Sequence, residues 1–140
     1  MILVVDASVA LKWFFHIHGN EADADRALAI LAGIDKSRIQ LAQPPHFIAE
    51  VAAVLAREKP ADAQADLRDL LDVECWFVED PAIYVSAVDL SIRLQHHLFD
   101  TLYHATALHT PNATFVTADQ RYYEKARNIG PIMLLADLNI

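Results

Sequence analysis

The fold is decided by residues 2–8, ILVVDAS, in which four apolar residues are followed at once by an aspartate, an alanine and a serine. The apolar part is short and partly β-branched, which is typical of a strand buried in a parallel sheet. Asp6 or Ser8 can then cap a helix that begins near residue 9, because both side chains accept hydrogen bonds from free backbone N–H groups. This stretch predicts a strand that ends on a carboxylate and passes directly into a helix.

The same alternation of strand and helix continues along the chain. Further strands are predicted at residues 39–42, 75–78, 114–116 and 132–135, and helices at 21–31, 46–58, 61–71, 83–94, 100–109 and 119–128. Asp80 offers a cap for one of these helices, and Pro81 fits its first helical position. The alternation predicts an α/β fold, with a parallel central sheet between two helical layers in a three-layer α/β/α arrangement.

The composition is typical of a single globular domain spanning residues 1–140. Hydrophobic residues make up 54% of the chain and charged residues 21%, which excludes the disordered and fibrous classes. No apolar run approaches the roughly 18 residues of a membrane span, and the N-terminus lacks the pattern of a secretory signal. The single cysteine, Cys75, excludes an intramolecular disulfide and a cysteine-based zinc motif. We therefore expect a cytoplasmic protein that is not inserted in a membrane.

The chain is acidic, with a formal net charge of −8. Nucleic-acid-binding proteins usually carry a basic patch, so this charge argues against tight RNA binding by the chain alone. An enzyme that holds Mg²⁺ or Mn²⁺ is compatible with it, because several carboxylates close together suit a hard cation.

Four acids occupy positions that this fold could bring together. Asp6 follows the first strand, Asp119 comes three residues after Val116 in a later strand, and Asp100 opens a predicted helix. Ligands of open parallel sheets bind outside the carboxyl ends of the strands, so Asp6 and Asp119 are expected at the same edge. Glu50 lies within a helix beside its apolar face, where a lone carboxylate is costly unless it is paired or bound to metal. Taken singly, each aspartate could be only a helix cap, and Glu50 only a solvated side chain.

Four segments around these acids resemble, in the same order, the segments of PIN-domain proteins of the toxin–antitoxin class, often called VapC toxins. The segments are residues 4–14 (VVDASVALKWF), 45–51 (PHFIAEV), 98–108 (LFDTLYHATAL) and 115–119 (FVTAD). The resemblance spans residues 2–135. It implies a ribonuclease that depends on Mg²⁺ or Mn²⁺ and cleaves RNA. It also implies a small protein antitoxin that covers the site, and a homodimer.

Carried over by position, the resemblance assigns the metal site to Asp6, Glu50, Asp100 and Asp119. Ser8 and Thr117 would be hydroxyls that orient a carboxylate, a water or a phosphate. One part departs from the family pattern, because many relatives carry a further acid shortly after the Thr-x-Asp turn, whereas residues 120–123 here are QRYY. The number of metal ions therefore stays open. The 7 histidines show no spacing typical of a metal site, and His96 is expected in a turn.

Two other α/β protein classes fit the sequence poorly, and one alternative to an enzyme remains. A phosphatase of the haloacid dehalogenase type needs a second aspartate two positions after the first, where this chain has Ser8. A response-regulator receiver needs an acidic pair near the end of its first strand and a phosphoacceptor aspartate after a middle strand, a context that this chain lacks. A PIN-like module that binds RNA or protein without catalysis is the remaining alternative. Substitution of the acids distinguishes it from an enzyme, which would lose nuclease activity but keep binding.

Overall fold

The computed structural model describes residues 1–15 and 22–140. Within these residues the strands are β1 (Ile2–Val5), β2 (Gln40–Gln43), β3 (Cys75–Phe77), β4 (Ala113–Thr117) and β5 (Ile132–Leu134). The helices are α1 (Ala7–Ala10), α2 (Lys12–Phe15), α3 (Ala24–Asp35), α4 (Phe47–Glu58), α5 (Ala63–Asp72), α6 (Pro81–Leu94), α7 (Leu98–Leu108) and α8 (Gln120–Ala126), and a 3₁₀ turn follows at Leu135–Asp137.

The strands form one parallel sheet in the order β3-β2-β1-β4-β5. At its centre, β1 pairs with β2 on one side, where Leu3 lies opposite Leu41, and with β4 on the other, where Val5 lies opposite Val116. Side chains on both faces of β1 are buried, since Leu3, Val4 and Val5 are at most 1% exposed. The predicted three-layer α/β/α fold with a parallel central sheet is confirmed.

The strand order has a switch point between β1 and β4. After β1 the chain continues to β2 on one side, whereas after β4 it continues to β5 on the other side. The two connections therefore diverge at the carboxyl ends of neighbouring strands and leave a crevice, which is the usual place for a ligand in an open parallel sheet. Asp6 directly follows β1 and Thr117 is the last residue of β4, so both lie at this crevice.

Helix α7 provides a buried support beside the crevice. It packs against β1, β2 and β4, and α6 packs against it in turn. Every residue of α7 from Thr101 to Ala107 is buried, which fixes the helix firmly in the molecule. The contact between the two helices forms a second apolar cluster, whose buried members are Ile83, Ala87, Leu90, Leu102 and Ala105.

Most predicted elements are confirmed, with differences at their ends. The helix predicted at residues 21–31 is observed at Ala24–Asp35, and its predicted first residue, Glu21, lies outside the described residues. Helix α7 begins two residues before Asp100. The reason is that the His97 side chain accepts a hydrogen bond from Phe99 N and so caps the helix, a role that the sequence pattern gave to an aspartate.

Cys75 and Trp13 both have defined places in the fold. Cys75 lies on the predicted strand β3 and is half-buried, and burial raises the pKa of its thiol. Trp13 is a core residue, 5% exposed, and its indole Nε1 donates a hydrogen bond to Ala27 O at 2.8 Å. Among the helices of residues 1–15 and 22–140, none is long and apolar enough to cross a membrane.

Candidate active site

Asp6 is held from two sides of the crevice. It is 7% exposed, and its Oδ1 caps α1 by accepting a hydrogen bond from Val9 N at 3.3 Å. Ser8 Oγ donates to the same oxygen, while Thr117 Oγ1 donates to Oδ2 at 2.5 Å. Both carboxylate oxygens are therefore fixed, one by α1 and the other by the end of β4.

The two hydroxyls are held in turn by the backbone that connects β4 to α8. Ala118 N donates to Ser8 Oγ and Asp119 N donates to Thr117 Oγ1, both at 3.0 Å. The Asp119 side chain caps α8, since its Oδ1 accepts a hydrogen bond from Tyr122 N at 3.0 Å. The turn that carries Asp119 is thus joined by hydrogen bonds to the side chains that hold the first acid.

Glu50 reaches the same region from α4. It is half-buried in the first turn of this helix, and the hydroxyl of Tyr103 donates a hydrogen bond to its Oε1 at 3.1 Å. Tyr103 is fully buried on α7, three residues after Asp100, so the two side chains share one side of that helix. Helix α7 therefore supplies one acid of its own and positions a second acid from α4.

The pKa values of Asp6 and Glu50 are both raised, chiefly by burial and in part by neighbouring carboxylates. The pKa of Asp6 is raised to about 6, mainly by burial and to a smaller extent by the charge of Asp100, although its hydrogen bonds act in the opposite direction. Burial likewise raises the pKa of Glu50 to about 7, against the hydrogen bond from Tyr103, and the charges of Asp100 and Asp6 add to the rise. A cation among these carboxylates would offset both the burial and the repulsion.

Asp100 also contacts a histidine. In the described part of the chain, His96, Asp100 and Asp119 form a group whose potential ligand atoms all lie within 4.8 Å of one another. His96 Nε2 lies 2.8 Å from Asp100 Oδ2. Asp6 and Glu50 are outside this group and are linked to it through the charge of Asp100.

The place of His96 at the site was missed in the sequence. The residue lies in the short connection between α6 and α7, directly after the turn residue Gln95, and the direction of its ring depends on how this connection leaves α6. Gln95 ends the helix in the left-handed conformation with a φ of 49° and so redirects the chain just before His96. The separation of four residues between His96 and Asp100 was a signal, but it has no fixed geometry outside a helix.

Other conspicuous features do not belong to the site. His104, four residues after Asp100, is buried, and its ring nitrogens contact Tyr122 OH at 2.8 Å and Gly130 O at 2.9 Å. Its polar atoms are satisfied within the core. A cavity of about 210 Å³ lies at the other end of the sheet beside Cys75, and none of the four acids is among the residues that line it.

The donor set fits a hard divalent cation. Mg²⁺, like the similarly oxygen-liganded Mn²⁺, is bound chiefly by carboxylate and water oxygens. Asp100 and Asp119 offer carboxylate oxygens within 4.8 Å of each other, and the charge of Asp100 acts on both Asp6 and Glu50. Burial is the main cause of the raised pKa of Asp6 and of Glu50, and a cation beside them would oppose this rise. Asp6 and Asp119 lie at the carboxyl ends of β1 and β4, beside the switch point of the parallel sheet. The molecule is thus an α/β protein of the class with a parallel sheet and an acidic group at the switch point that could hold a cation.

A comparison with protein families identifies the class more closely. The sequence matches the family model of the PIN domain over residues 3–128. The match covers most of the chain, and the protein therefore belongs to the PIN domain family. PIN domains are generally nucleases, and the acidic group of this structure could hold a metal ion. A search of curated proteins found no significant match.

Proposed function

We propose that this PIN domain is a divalent-metal-dependent endoribonuclease that hydrolyses RNA phosphodiester bonds. Residues 1–140 would act as one domain, in the cytoplasm where its RNA target would be found. The ion would be Mg²⁺ or Mn²⁺. Its ligands would be the four carboxylates that we call the acidic site: Asp6, Glu50, Asp100 and Asp119.

The observation that carries this proposal is the crowding of acids. Asp6 is buried and Glu50 half-buried, and the charge of Asp100 acts on both. Asp100 and Asp119 have carboxylate oxygens within 4.8 Å of each other. Burial of a carboxylate beside other carboxylates destabilises the folded protein unless a proton or a cation offsets the charge. Such an arrangement is costly for a surface that has only a structural role, and it supports metal binding.

The surrounding residues would prepare the acids for this chemistry. Ser8 and Thr117 hold the two oxygens of Asp6, and Tyr103 holds Glu50, so few side chains need to be ordered when the site is used. When bound, a divalent cation supplies a Lewis acid that offsets charge on the scissile phosphate and activates water. Asp100 or Glu50 would orient the attacking water for in-line displacement.

Cleavage of RNA by the purified protein tests the proposal. A panel of structured RNAs is incubated with Mg²⁺, Mn²⁺ or EDTA, using the wild type and an Asp6→Asn, Asp100→Asn double variant. We expect metal-dependent cutting that the double variant loses. Asp69→Asn changes an exposed acid on α5 and should cut like the wild type. A folded wild-type protein that neither cuts RNA nor binds Mn²⁺ would contradict the proposal and favour a binding module.

We further propose that the enzyme is the toxin of a toxin–antitoxin pair. The resemblance of four segments to VapC toxins supports this role, and the formal net charge of −8 would suit a basic segment of a protein antitoxin. Induced expression of the wild type should arrest growth of the host, whereas the double variant should not. Normal growth with an intact, RNA-cleaving protein would contradict the toxin role.

A homodimer is the assembly that we propose for this chain. One face of α6 packs on α7, while on another Val85, Val88 and Ile92 are 72%, 46% and 71% exposed. These residues follow helical spacing and form an apolar surface, which we call the α6 face. Contiguous exposed apolar surface commonly marks an interaction site, and two copies related by a two-fold axis would each cover the α6 face of the other.

A further inference from the structure

The ring of His96 is held in one orientation. Its side chain is 11% exposed and packs edge-on against Tyr122, with ring centroids 4.8 Å apart and an interplanar angle of 76°. The backbone of His96 is tied to Ser91 twice, because its N donates to Ser91 O at 3.2 Å and its O accepts from Ser91 Oγ at 2.6 Å. The position of the ring therefore follows from packing and backbone contacts as well as from its polar partners.

The two ring nitrogens have partners of opposite kind. Nε2 faces the Asp100 carboxylate at 2.8 Å, whereas Nδ1 lies 3.2 Å from the ammonium of Lys125. The same ammonium donates to Gln95 O at 3.1 Å, which holds it beside the ring. An ammonium can only donate, so Nδ1 of His96 must accept. The ring hydrogen then lies on Nε2, which donates it to Asp100 Oδ2.

This hydrogen-bond pattern decides between two roles for His96. By distance alone, one ring nitrogen of His96 could be a metal ligand together with Asp100 and Asp119. A histidine that binds a metal through one nitrogen usually donates the N–H of the other to a carboxylate or a carbonyl. The other nitrogen of His96 faces a donor, Lys125, and the ring is instead arranged to donate to a carboxylate.

We infer that His96 is a positioning residue that orients Asp100 for metal binding and does not bind the metal itself, and that Lys125 fixes the tautomer required for this. The inference rests on the proposed function, in which Asp100 is a metal ligand. The hydrogen bond to Oδ2 sets the direction of the carboxylate before the ion arrives. It lowers the conformational entropy that binding must otherwise remove.

Substitutions at His96 test the effect on metal affinity. Mn²⁺ binding is measured by titration calorimetry for the wild type, His96→Ala and His96→Gln. Loss of the ring should weaken binding by about 10-fold to 100-fold, the usual effect of removing a group that orients a ligand. Glutamine should restore most of the affinity, since its amide can donate to Asp100 and accept from Lys125. His109→Ala is the control, because His109 is exposed at the far end of α7 and bonds to Ser86 Oγ at 2.6 Å.

Pulsed electron paramagnetic resonance of bound Mn²⁺ tests whether His96 is a ligand. We expect no ¹⁴N coupling from a directly bound imidazole in the wild type. A coupling that is present in the wild type and absent in His96→Gln would overturn the inference while leaving metal binding at the acidic site intact. Unchanged affinity in His96→Ala would also overturn it. A folded wild type that binds no Mn²⁺ at all would overturn the proposed function, and this inference with it.

Discussion

At the scale of single residues, Asp6 combines three hydrogen bonds with a raised pKa, because burial outweighs the stabilisation that these bonds give to its charge. Its pKa in the folded protein, about 6, lies above the ordinary value of 3.8. A group of this kind stabilises the fold fully below its unfolded pKa, and the stabilisation is lost as the pH rises through its folded pKa. The pKa of Glu50 is also raised, to about 7, and acts in the same direction.

The upward direction of these two pKa shifts determines how the stability of the protein depends on pH. Without metal, the free energy of unfolding of the wild type should fall between about pH 4 and pH 7. Asp6→Asn should remove roughly 1 kcal/mol of the loss between pH 5 and pH 8. Urea unfolding in EDTA at the two pH values measures the change, with Asp69→Asn as the exposed control. If the free energy of unfolding fell equally in Asp6→Asn and in the wild type, the ionisation of Asp6 would not be the cause of the pH dependence.

A second prediction for single residues concerns Thr117. Its hydroxyl donates a hydrogen bond to Asp6 and accepts one from Asp119 N. Thr117→Val keeps the shape of the side chain but leaves a backbone N–H and a carboxylate oxygen without this partner. The unfolding free energy should fall by about 1–3 kcal/mol, and Mn²⁺ should bind more weakly. Thr117→Ser keeps the hydroxyl and should retain Mn²⁺ affinity. Wild-type Mn²⁺ affinity in Thr117→Val would argue against a role for this hydroxyl in ordering the acidic site.

At the scale of the elements, Gln43 extends the contact between β2 and β1 up to the acidic site. This fully buried side chain donates from Nε2 to Val5 O at 2.7 Å and accepts at Oε1 from Val5 N at 2.9 Å. The side chain of Gln43 thereby makes the hydrogen bonds to Val5 that the backbone of a neighbouring strand would otherwise make. A polar side chain at the end of a buried strand is explained by this pairing.

Removal of this pairing should destabilise the protein. Gln43→Leu leaves the buried N–H and C=O of Val5 unpaired, and each unpaired group costs about 1–3 kcal/mol. Gln40→Leu is the matched control, because Gln40 is exposed at the start of the same strand. Urea unfolding measures both variants. Equal stability of the two would contradict the structural role of Gln43.

Elements whose ends are set by neighbouring residues could be predicted from the sequence. Helix α6 begins at Pro81 as expected, because Asp80 Oδ1 accepts a hydrogen bond from Ala82 N. The predicted start of α7 at Asp100 was wrong. The helix is capped by His97, and histidine is not among the residues that are strongly preferred as helix caps. The expectation that Asp6 and Asp119 lie at the same end of the sheet agrees with the structure, because each follows the carboxyl end of a parallel strand.

Contacts that depend on strand order could not be predicted. The pairing of Gln43 with Val5 requires β2 to lie beside β1, and the hydrophobic pattern does not specify which strands are neighbours. The hydrogen bond from Tyr103 to Glu50 joins residues 53 positions apart. In both cases the sequence indicates a strand or a helix, whereas the partner is chosen by the assembled sheet.

At the scale of the whole molecule, the acidic site lies at the carboxyl ends of the central strands β1 and β4, apart from the cavity of about 210 Å³ beside Cys75. The side chain of Asp100 is 39% exposed there, so an RNA phosphate can approach the site from the surface. The net charge of −8 opposes such a substrate at long range. Metal binding at the acidic site would lower this repulsion where the phosphate must approach.

The proposed homodimer gives a prediction at this scale. Val88→Asp places a charge in the middle of the α6 face and should convert the dimer to a monomer, because an unpaired charge buried in an apolar interface is costly. Leu71→Asp is the control, since Leu71 is 59% exposed on α5. Sedimentation velocity measures the assembly. A wild type that stays monomeric at high concentration would contradict the proposed dimer.

The acidic site is tested most directly by the anomalous scattering of Mn²⁺ in crystals of the wild-type protein grown with this ion. We expect a peak at the carboxyl edge of β1 and β4, coordinated by oxygens of the acidic site, with Nε2 of His96 bonded to Asp100 outside the coordination shell. A Mn²⁺ peak elsewhere, or none at a concentration that supports RNA cleavage, would contradict the assignment of these carboxylates as the metal site.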